Sequence, residues 1–407
     1  MSWKIRKLSD CCLSIADGDH QPPPKAATGV PFVTISNITS TNQFDFSNTM
    51  FVPQDYYDRL DSKRKAQKGD VLYSVVGSFG IPVYIKENIP FVFQRHIAIL
   101  RPNETLLPQF LYYTMLSRDF YMMADAAAIG AAQRTVSLSA LRNMEIAVPS
   151  METQQKIVDI LSAYDDLIEN NQKQIKLLEE AAQRLYKEWF VDLRFPGHET
   201  TTIVDGVPEG WSYKKFFEVF DYVRGKSYTS KELSDTTGIL MANLKNIRAF
   251  GGYNRNAEKR FIGQYKANQM LSAGDIVMGV TDMTQERRLV GHVALVPDLG
   301  EKMTFSMDLI KLIPKLTDNL FLYSTLYYGG LSKQISPLAN GVNVLHLKPE
   351  AIMGIEMLVP NVEILNRYYQ QLKPIVTRIE ALQKQCDIAT EARDRLLPKL
   401  MNGEIEV

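Results

Sequence analysis

Cysteine is scarce in these 407 residues: Cys11 and Cys12 are adjacent and Cys386 stands alone, so neither a disulfide framework nor a zinc ribbon can be written. The five histidines, His20, His96, His198, His292 and His346, have no second histidine or cysteine at ligand spacing, and no metal site is expected. Long apolar runs are also missing. Ile97-Leu100 and Ile355-Pro360 fall far short of the about 20 residues a membrane span requires, and Met1-Ser2-Trp3-Lys4 opens no signal peptide. A soluble cytoplasmic protein with no membrane contact is expected, in which the sequons Asn37-Ile38-Thr39 and Asn103-Glu104-Thr105 are accidental.

The sequence equally lacks the signatures of phosphate, methyl or acyl transfer. It contains no G-x-x-x-x-G-K-[ST], G-x-G-x-x-G, H-E-x-x-H or G-x-S-x-G. An Asn/Asp-Pro-Pro-aromatic motif is absent too: Gln21-Pro22-Pro23-Pro24 lacks both the acid and the aromatic residue and reads as a polyproline-type loop. No catalytic residues are assigned. Net charge is also lacking, with 46 basic against 46 acidic residues. The distribution is uneven: residues 1-150 carry 15 Lys/Arg against 13 Asp/Glu and 207-360 carry 18 against 15, whereas 151-206 carry 6 against 11. These small surpluses permit contact with nucleic acid and do not establish it.

What is present is an internal repeat. Trp3-Lys4-Ile5-Arg6-Lys7 is answered by Trp211-Ser212-Tyr213-Lys214-Lys215, and Asn37-Ile38 by Asn246-Ile247. Lys68-Gly69-Asp70-Val71-Leu72 matches Ala273-Gly274-Asp275-Ile276-Val277, a turn leading into a strand. Glu145-Ile146-Ala147-Val148-Pro149 matches Glu356-Met357-Leu358-Val359-Pro360, each followed three residues later by an acid, Glu152 or Glu363, at a helix start. Short β-rich runs such as Phe32-Ile35, Asp70-Val76 and Gly291-Val296 alternate with turns and with the helical patches Pro108-Ser117 and Asn319-Tyr328, so both halves read as α+β.

Apolar residues at helical spacing run from Thr153 to about Trp189, and again from about Val362 to Leu397, where Pro374 predicts a kink or break. Two stripes this long are most economically buried against each other, antiparallel. Asn171 and Gln174 interrupt the first stripe, either fixing register or facing solvent. The expected architecture is two mixed-sheet domains, each followed by a long helix, the helices packed as an antiparallel coiled coil with pseudo-twofold symmetry. The boundaries are 1-150, first domain; 151-195, central helix; 196-210, a Gly/Pro/Thr-rich linker; 211-361, second domain; and 362-407, C-terminal helix.

This plan resembles the specificity subunit of Type I restriction-modification systems along essentially the full chain. Its carriers are Leu141-Pro149, Gln154-Leu161 and Leu185-Gly197 in the centre, Val207-Pro208-Glu209-Gly210-Trp211 at the start of the second domain, and Arg395-Ile405 at the end. The resemblance implies a non-catalytic subunit whose two target-recognition domains each read half of a split, asymmetric double-stranded DNA site, with the helices as spacer. It further implies two modification subunits that methylate adenine with S-adenosylmethionine, and restriction subunits that can join with ATP and Mg; this chain holds no cofactor. A non-catalytic protein adapter is the alternative, and an autonomous methyltransferase a third reading.

Base reading needs side chains on loops, with Lys, Arg, Ser and Asn on phosphates. The candidates are Asp19, His20 and Gln21, facing Arg224, Lys226 and Ser227 in the second half. Next come Ser78 and Phe79 after the Gly-Asp strand, against the dissimilar Thr281, Asp282, Arg287 and Arg288. Arg95, Gln133 and Arg134 supply forks, and Asn340 and Asn343, with His346, occupy the corresponding area. Lys63-Arg64-Lys65 could track phosphates or form a solvated face. Trp189 and Phe190 at the helix end either meet the modification subunit or close a core. About 35 helical residues reach about 50 Å, which caps half-site centres near 15 base pairs and fits a target split by roughly one helical turn.

Overall fold

The fold is described from a computed structural model that covers residues 3–20, 23–39, 41–131 and 133–407. It divides into two units, residues 1–170 with 385–407, and residues 171–384. The long helices are therefore not separate modules: each unit takes segments of both into its own core. Among the described residues no helix is long and apolar enough to cross a membrane.

The centre of the first unit is a four-stranded antiparallel sheet in the order Cys12–Asp17, Ile97–Pro102, Val71–Ser74, Pro82–Tyr84. Its two inner strands are almost wholly buried, which is why they read as continuous apolar runs rather than alternating ones. Asp70 introduces the Val71–Ser74 strand. Its carboxylate accepts two bonds from the Arg101 guanidinium, both 2.9 Å, and one from the Gln67 amide. A three-stranded sheet, Met50–Val52, Val30–Val33, Val92–Phe93, sits beside it in the chain. The ribbon Lys4–Lys7 with Glu145–Val148 ties the start of the domain to its end. Phe110, Leu111, Phe120 and Ala124 from helices Pro108–Leu116 and Arg118–Ala127 share one core with Val71, Tyr73 and Leu100.

The second unit repeats this scheme. Its four-stranded sheet runs Phe220–Arg224, Leu309–Pro314, Ile276–Gly279, Val293–Leu295, and its ribbon pairs Ser212–Lys215 with Glu356–Val359. Asp275 takes the place of Asp70 and pairs with Lys311 at 2.6 Å. The three-stranded sheet has grown to five: Leu233–Ser234, Lys259–Phe261, Ile239–Ala242, Met303–Phe305, Met270–Leu271. The Asn37/Asn246 match also has a cause. Each side-chain oxygen accepts an amide three residues earlier, Thr34 or Asn243 at 2.9 Å, and each side-chain nitrogen donates to a carbonyl eight residues later.

The first long helix spans Met151–Tyr186 and continues into a π turn, Lys187–Val191. The second runs unbroken over Val362–Met401, so the break anticipated at Pro374 does not occur. Proline forfeits one helix bond there, but buried Leu372 with Ile375 and Val376 packed on the core hold the flanking turns. In the first unit Ile157 and Leu161 share a core with Leu397 and Leu400, Arg393 donates to Asp165 at 2.7 Å, and the Cys386 sulfur lies 3.8 Å from the Ile168 carbonyl. Rising numbers on one segment meet falling numbers on the other, so these segments run antiparallel. The same sense holds in the second unit, where Tyr186 meets Tyr368 and Arg378 donates to Gln174 at 3.4 Å. Asn171 is 2 % exposed, so it is a seam residue and not a solvent-facing one. The 196–210 stretch carries a two-residue ladder, Ile203–Val204 with Val207–Pro208, and the residues that flank it, Phe195 and Trp211, are buried against each other.

Candidate nucleic-acid interface

In the first unit, one end of the four-stranded sheet gathers three loops. The first follows strand Cys12–Asp17: Gly18 donates to the Ile97 carbonyl at 3.1 Å and Asp19 to Phe93 at 2.9 Å, while the Arg95 amide returns a bond to Asp19 at 3.0 Å. A Cβ at Gly18 would run into the Phe93 and Gln94 carbonyls, so this close approach requires glycine. The second loop extends the Val71–Ser74 strand, with the Val75 amide bonded to the His96 carbonyl at 2.8 Å. The third is a seven-residue loop pinched by reciprocal bonds between Ile129 and Thr135, and locked to the second by Val136 to Val75 and Gly77 to Arg134, both 2.9 Å. Arg95 and Gln133 line a cleft of about 290 Å³ together with Asp17, Val75, His96 and Thr135, and Asp19, His20, Ser78 and Arg134 sit on the same three linked loops. Gln21 lies outside the described residues.

The second unit reproduces this frame bond for bond. Gly225 donates to Leu309, Lys226 to Phe305, Met307 to Lys226, Val280 to Asp308 and Leu347 to Val280, and the 340–346 loop is pinched between Asn340 and His346. Lys226 therefore stands where Asp19 does. Met307 and Asp308 stand at Arg95 and His96, and Val344, Leu345 and His346 at Gln133, Arg134 and Thr135. Asn340 and Asn343 correspond only to the 129–135 loop; the counterparts of Arg95 and His96 were missed. The signal was there in Phe91-Val92-Phe93 against Met303-Thr304-Phe305, but a match carried mainly by one phenylalanine is hard to see without the strand pairing.

The side chains divide into those that face solvent and those that build the loops. Ser78, Arg95, Gln133, Arg134, Arg224, Ser227, Arg288, Asn340 and Asn343 are exposed. Among the described residues Arg95 has no side-chain partner, whereas several other cations carry their own anion. Arg134 pairs with Asp125, Arg288 with Glu286, and Arg224 with Glu350 at 2.8 Å; the His20 ring lies 2.8 Å from the Asp17 carboxylate. Hydrogen bonds from Tyr222, from the backbone and from Arg224 pull the Glu350 carboxyl down to about 2. Exposed pairs of this kind add little to stability, because solvent and salt screen them. In the basic run, Arg64 lies 3.8 Å from Asp17, and Lys65 donates to the Asp58 carbonyl over the Tyr57 ring.

Six expected contact residues are instead buried or half-buried. Phe79 is 9 % exposed because its ring stacks on Tyr121, leaving it to support Arg134 from beneath. Thr281 and Asp282 are buried in a two-residue ladder with Leu345–His346. Thr281 donates to Asp308 at 3.0 Å, and Asp282 accepts the amides of Thr284, Leu289 and Val290 and the Thr284 hydroxyl. Burial alone would raise the Asp282 carboxyl, but these bonds outweigh it and hold it below its ordinary range. Asp282 therefore shapes the loop and does not present itself to a base. Arg287 is half-buried, its Nε without a partner among the described residues. Trp189 and Phe190 pack with Trp211, Phe321 and Tyr368 in the second unit's core, so they close that core and offer no docking surface.

A model of the Type I restriction modification DNA specificity domain matches residues 2–180 and again 208–396. The chain belongs to that family. It is 25% identical over its full length to the Type I restriction enzyme MjaIX specificity subunit of Methanocaldococcus jannaschii, covering 94% of that protein. It is 23% identical to the HindI specificity subunit of Haemophilus influenzae, over 92% of this chain and 95% of the relative. The S subunit of a Type I restriction-modification system from M. genitalium has the same fold, with a TM-score of 0.60 over 98% of this chain and 96% of that one at 15% identity. Membership in this specificity class makes the chain a non-catalytic component of a restriction-modification complex.

Proposed function

We propose that each loop cluster reads one half of a split, asymmetric site in double-stranded DNA. The observation that carries this reading is the duplicated backbone frame bearing different side chains: Asp19, Arg95 and His96 on one copy, Lys226, Met307 and Asp308 on the other, with exposed Arg134 answered by buried Leu345. A fixed frame with changed side chains is what two half-sites of unlike sequence require, since phosphate contacts position a protein while side chains at base edges specify. The candidate contacts are Asp19, His20, Ser78, Arg95, Gln133 and Arg134 in the first unit, and Arg224, Lys226, Ser227, Arg288, Asn340 and Asn343 in the second.

The long helices act as the spacer, packed as an antiparallel coiled coil with pseudo-twofold symmetry. The 36 residues of Met151–Tyr186 reach about 54 Å at 1.5 Å per residue, an upper limit of about 16 base pairs that admits half-site centres about one turn of DNA apart. The partners in this reading are two modification subunits that use S-adenosylmethionine, together with restriction subunits that bring ATP and Mg. Specificity subunits are what the MjaIX and HindI relatives are named as.

The test is selection from duplexes with randomised half-sites, using the full chain with its modification subunits at several salt concentrations. One split motif, bound more weakly as salt rises, is expected. Equal binding to all duplexes would leave a protein adapter as the better description.

A further inference from the structure

Polar contacts between each domain and its long helix mostly differ between the two units. Gln154, whose side chain bonds Leu107, Thr105 and Pro149, corresponds to Leu365, and Asp165, which accepts the Tyr113 hydroxyl, corresponds to Val376. One position breaks the pattern. Counting from the matched Pro149 and Pro360, Glu169 corresponds to Glu380, and both are glutamate. Glu169 accepts from the Gln43 amide at 3.1 Å and from the Lys86 ammonium at 2.5 Å. Glu380 accepts from the Asp298 backbone amide at 2.7 Å and lies 3.7 Å from the Arg255 guanidinium.

The partners are chemically unrelated, yet they come from the same two loops. Gln43 and Arg255 sit in the loop after the asparagine turn, Phe44 matching Tyr253 by the bridges Ile38–Phe44 and Ile247–Tyr253. Lys86 and Asp298 follow the edge strands Pro82–Tyr84 and Val293–Leu295. Two loops that converge on one helix position with different partners share a geometric requirement, not a chemical one. The Arg255 side chain is 8 % exposed and stands by Glu380 as an ion pair without a hydrogen bond, so on this side the bond that ties loop to helix is the one from the Asp298 amide. Both loops also pack beside the four-stranded sheet whose strands carry the recognition loops, Phe44 and Phe46 with Leu72 and Val83, and Tyr253 with Val277 and Ala294.

We infer that Glu169 and Glu380 are positioning residues that fix the attitude of each recognition domain on its long helix, and so determine the half-site spacing that the protein accepts. The inference rests on the split-site reading above. It assigns the glutamates no base contact.

The experiment uses the full chain with its modification subunits and two readouts. Amide hydrogen exchange in the 43–46 and 252–255 loops tests the clamp itself: Glu169→Ala should speed the first about tenfold and Glu380→Ala the second, each leaving the other loop unchanged. Affinities for duplexes with the preferred spacing and with one base pair more or less test its consequence. Each variant should lower discrimination between spacings about fivefold, leaving base preference within each half-site intact, and the exchanged pair Lys86→Glu with Glu169→Lys should recover it. Unchanged exchange would overturn the clamp. Faster exchange with spacing discrimination retained would overturn its role in spacing. Wild-type protein with no preference for any split site would instead overturn the reading of function, and with it the role in spacing, while exchange still judges the clamp.

Discussion

The guanidinium of Arg134 is held by the Asp125 carboxylate and lies over the ring of Phe79, 5.6 Å from its centroid. A residue free to swing would lose rotamer entropy on meeting DNA; one already oriented by an acid and an aromatic face loses less. Arg134→Ala is expected to weaken binding to the cognate duplex by about 1–3 kcal/mol and to relax preference at one base position of one half-site. Fluorescence anisotropy at fixed salt on a panel of single-base variants separates a base contact from a phosphate contact, which would weaken all sequences alike.

Phe79→Ala tests whether that ring acts by support. Because it is buried under Arg134 and stacked on Tyr121, its loss should cost stability by about 3 kcal/mol and shift affinity at the same position as Arg134→Ala. Retention of full specificity at that position would remove Phe79 from the site.

Asp282 gives a pH signature. Its folded carboxyl lies below its ordinary value of 3.8, so its stabilising contribution is present above that value and is lost as the pH falls through the lower, folded one. Asp282→Asn should cost about 2 kcal/mol at neutral pH and flatten the fall of stability in acid. Denaturant melts at a series of pH values would show both effects.

Trp189→Ala distinguishes a core residue from a docking one. With the ring 7 % exposed among Phe190 and Tyr368, truncation should destabilise the second unit by about 3–5 kcal/mol. Calorimetry should register this with or without a partner subunit. Undiminished stability with lost partner binding would restore the docking reading.

Gly18→Ala and Gly225→Ala should each disturb one loop cluster, because an added Cβ meets the carbonyl of Phe93 or of Ser306. A loss of about 2 kcal/mol or more is expected, with weaker binding confined to substitutions in one half-site. The same change at Gly274, where a Cβ meets nothing nearby, serves as the control, since only its left-handed backbone resists a side chain.

The amino-acid sequence determined by itself the features that depend on local pattern. The repeat was legible in the ribbons, in the Gly-Asp turns before Val71 and Ile276, in the Asn37/Asn246 turns and in the two apolar stripes, because each needs a particular residue at a fixed spacing whatever surrounds it. The loops of the candidate interface were found for the same reason, by glycines and by contrast between otherwise matching halves. Tertiary structure alone decided which side chains on those loops face outward. Thr281 and Asp282 look like a polar reading loop until Leu345–His346 pairs with them and the amides of Leu289 and Val290 turn inward. Met307 and Asp308 acquire their place beside Lys226 only through bonds between strands about eighty residues apart. Pro374 was overruled likewise, by a core its own sequence neighbourhood does not contain. Burial and partnership are non-local, and they separated the residues that build the frame from those left free on it.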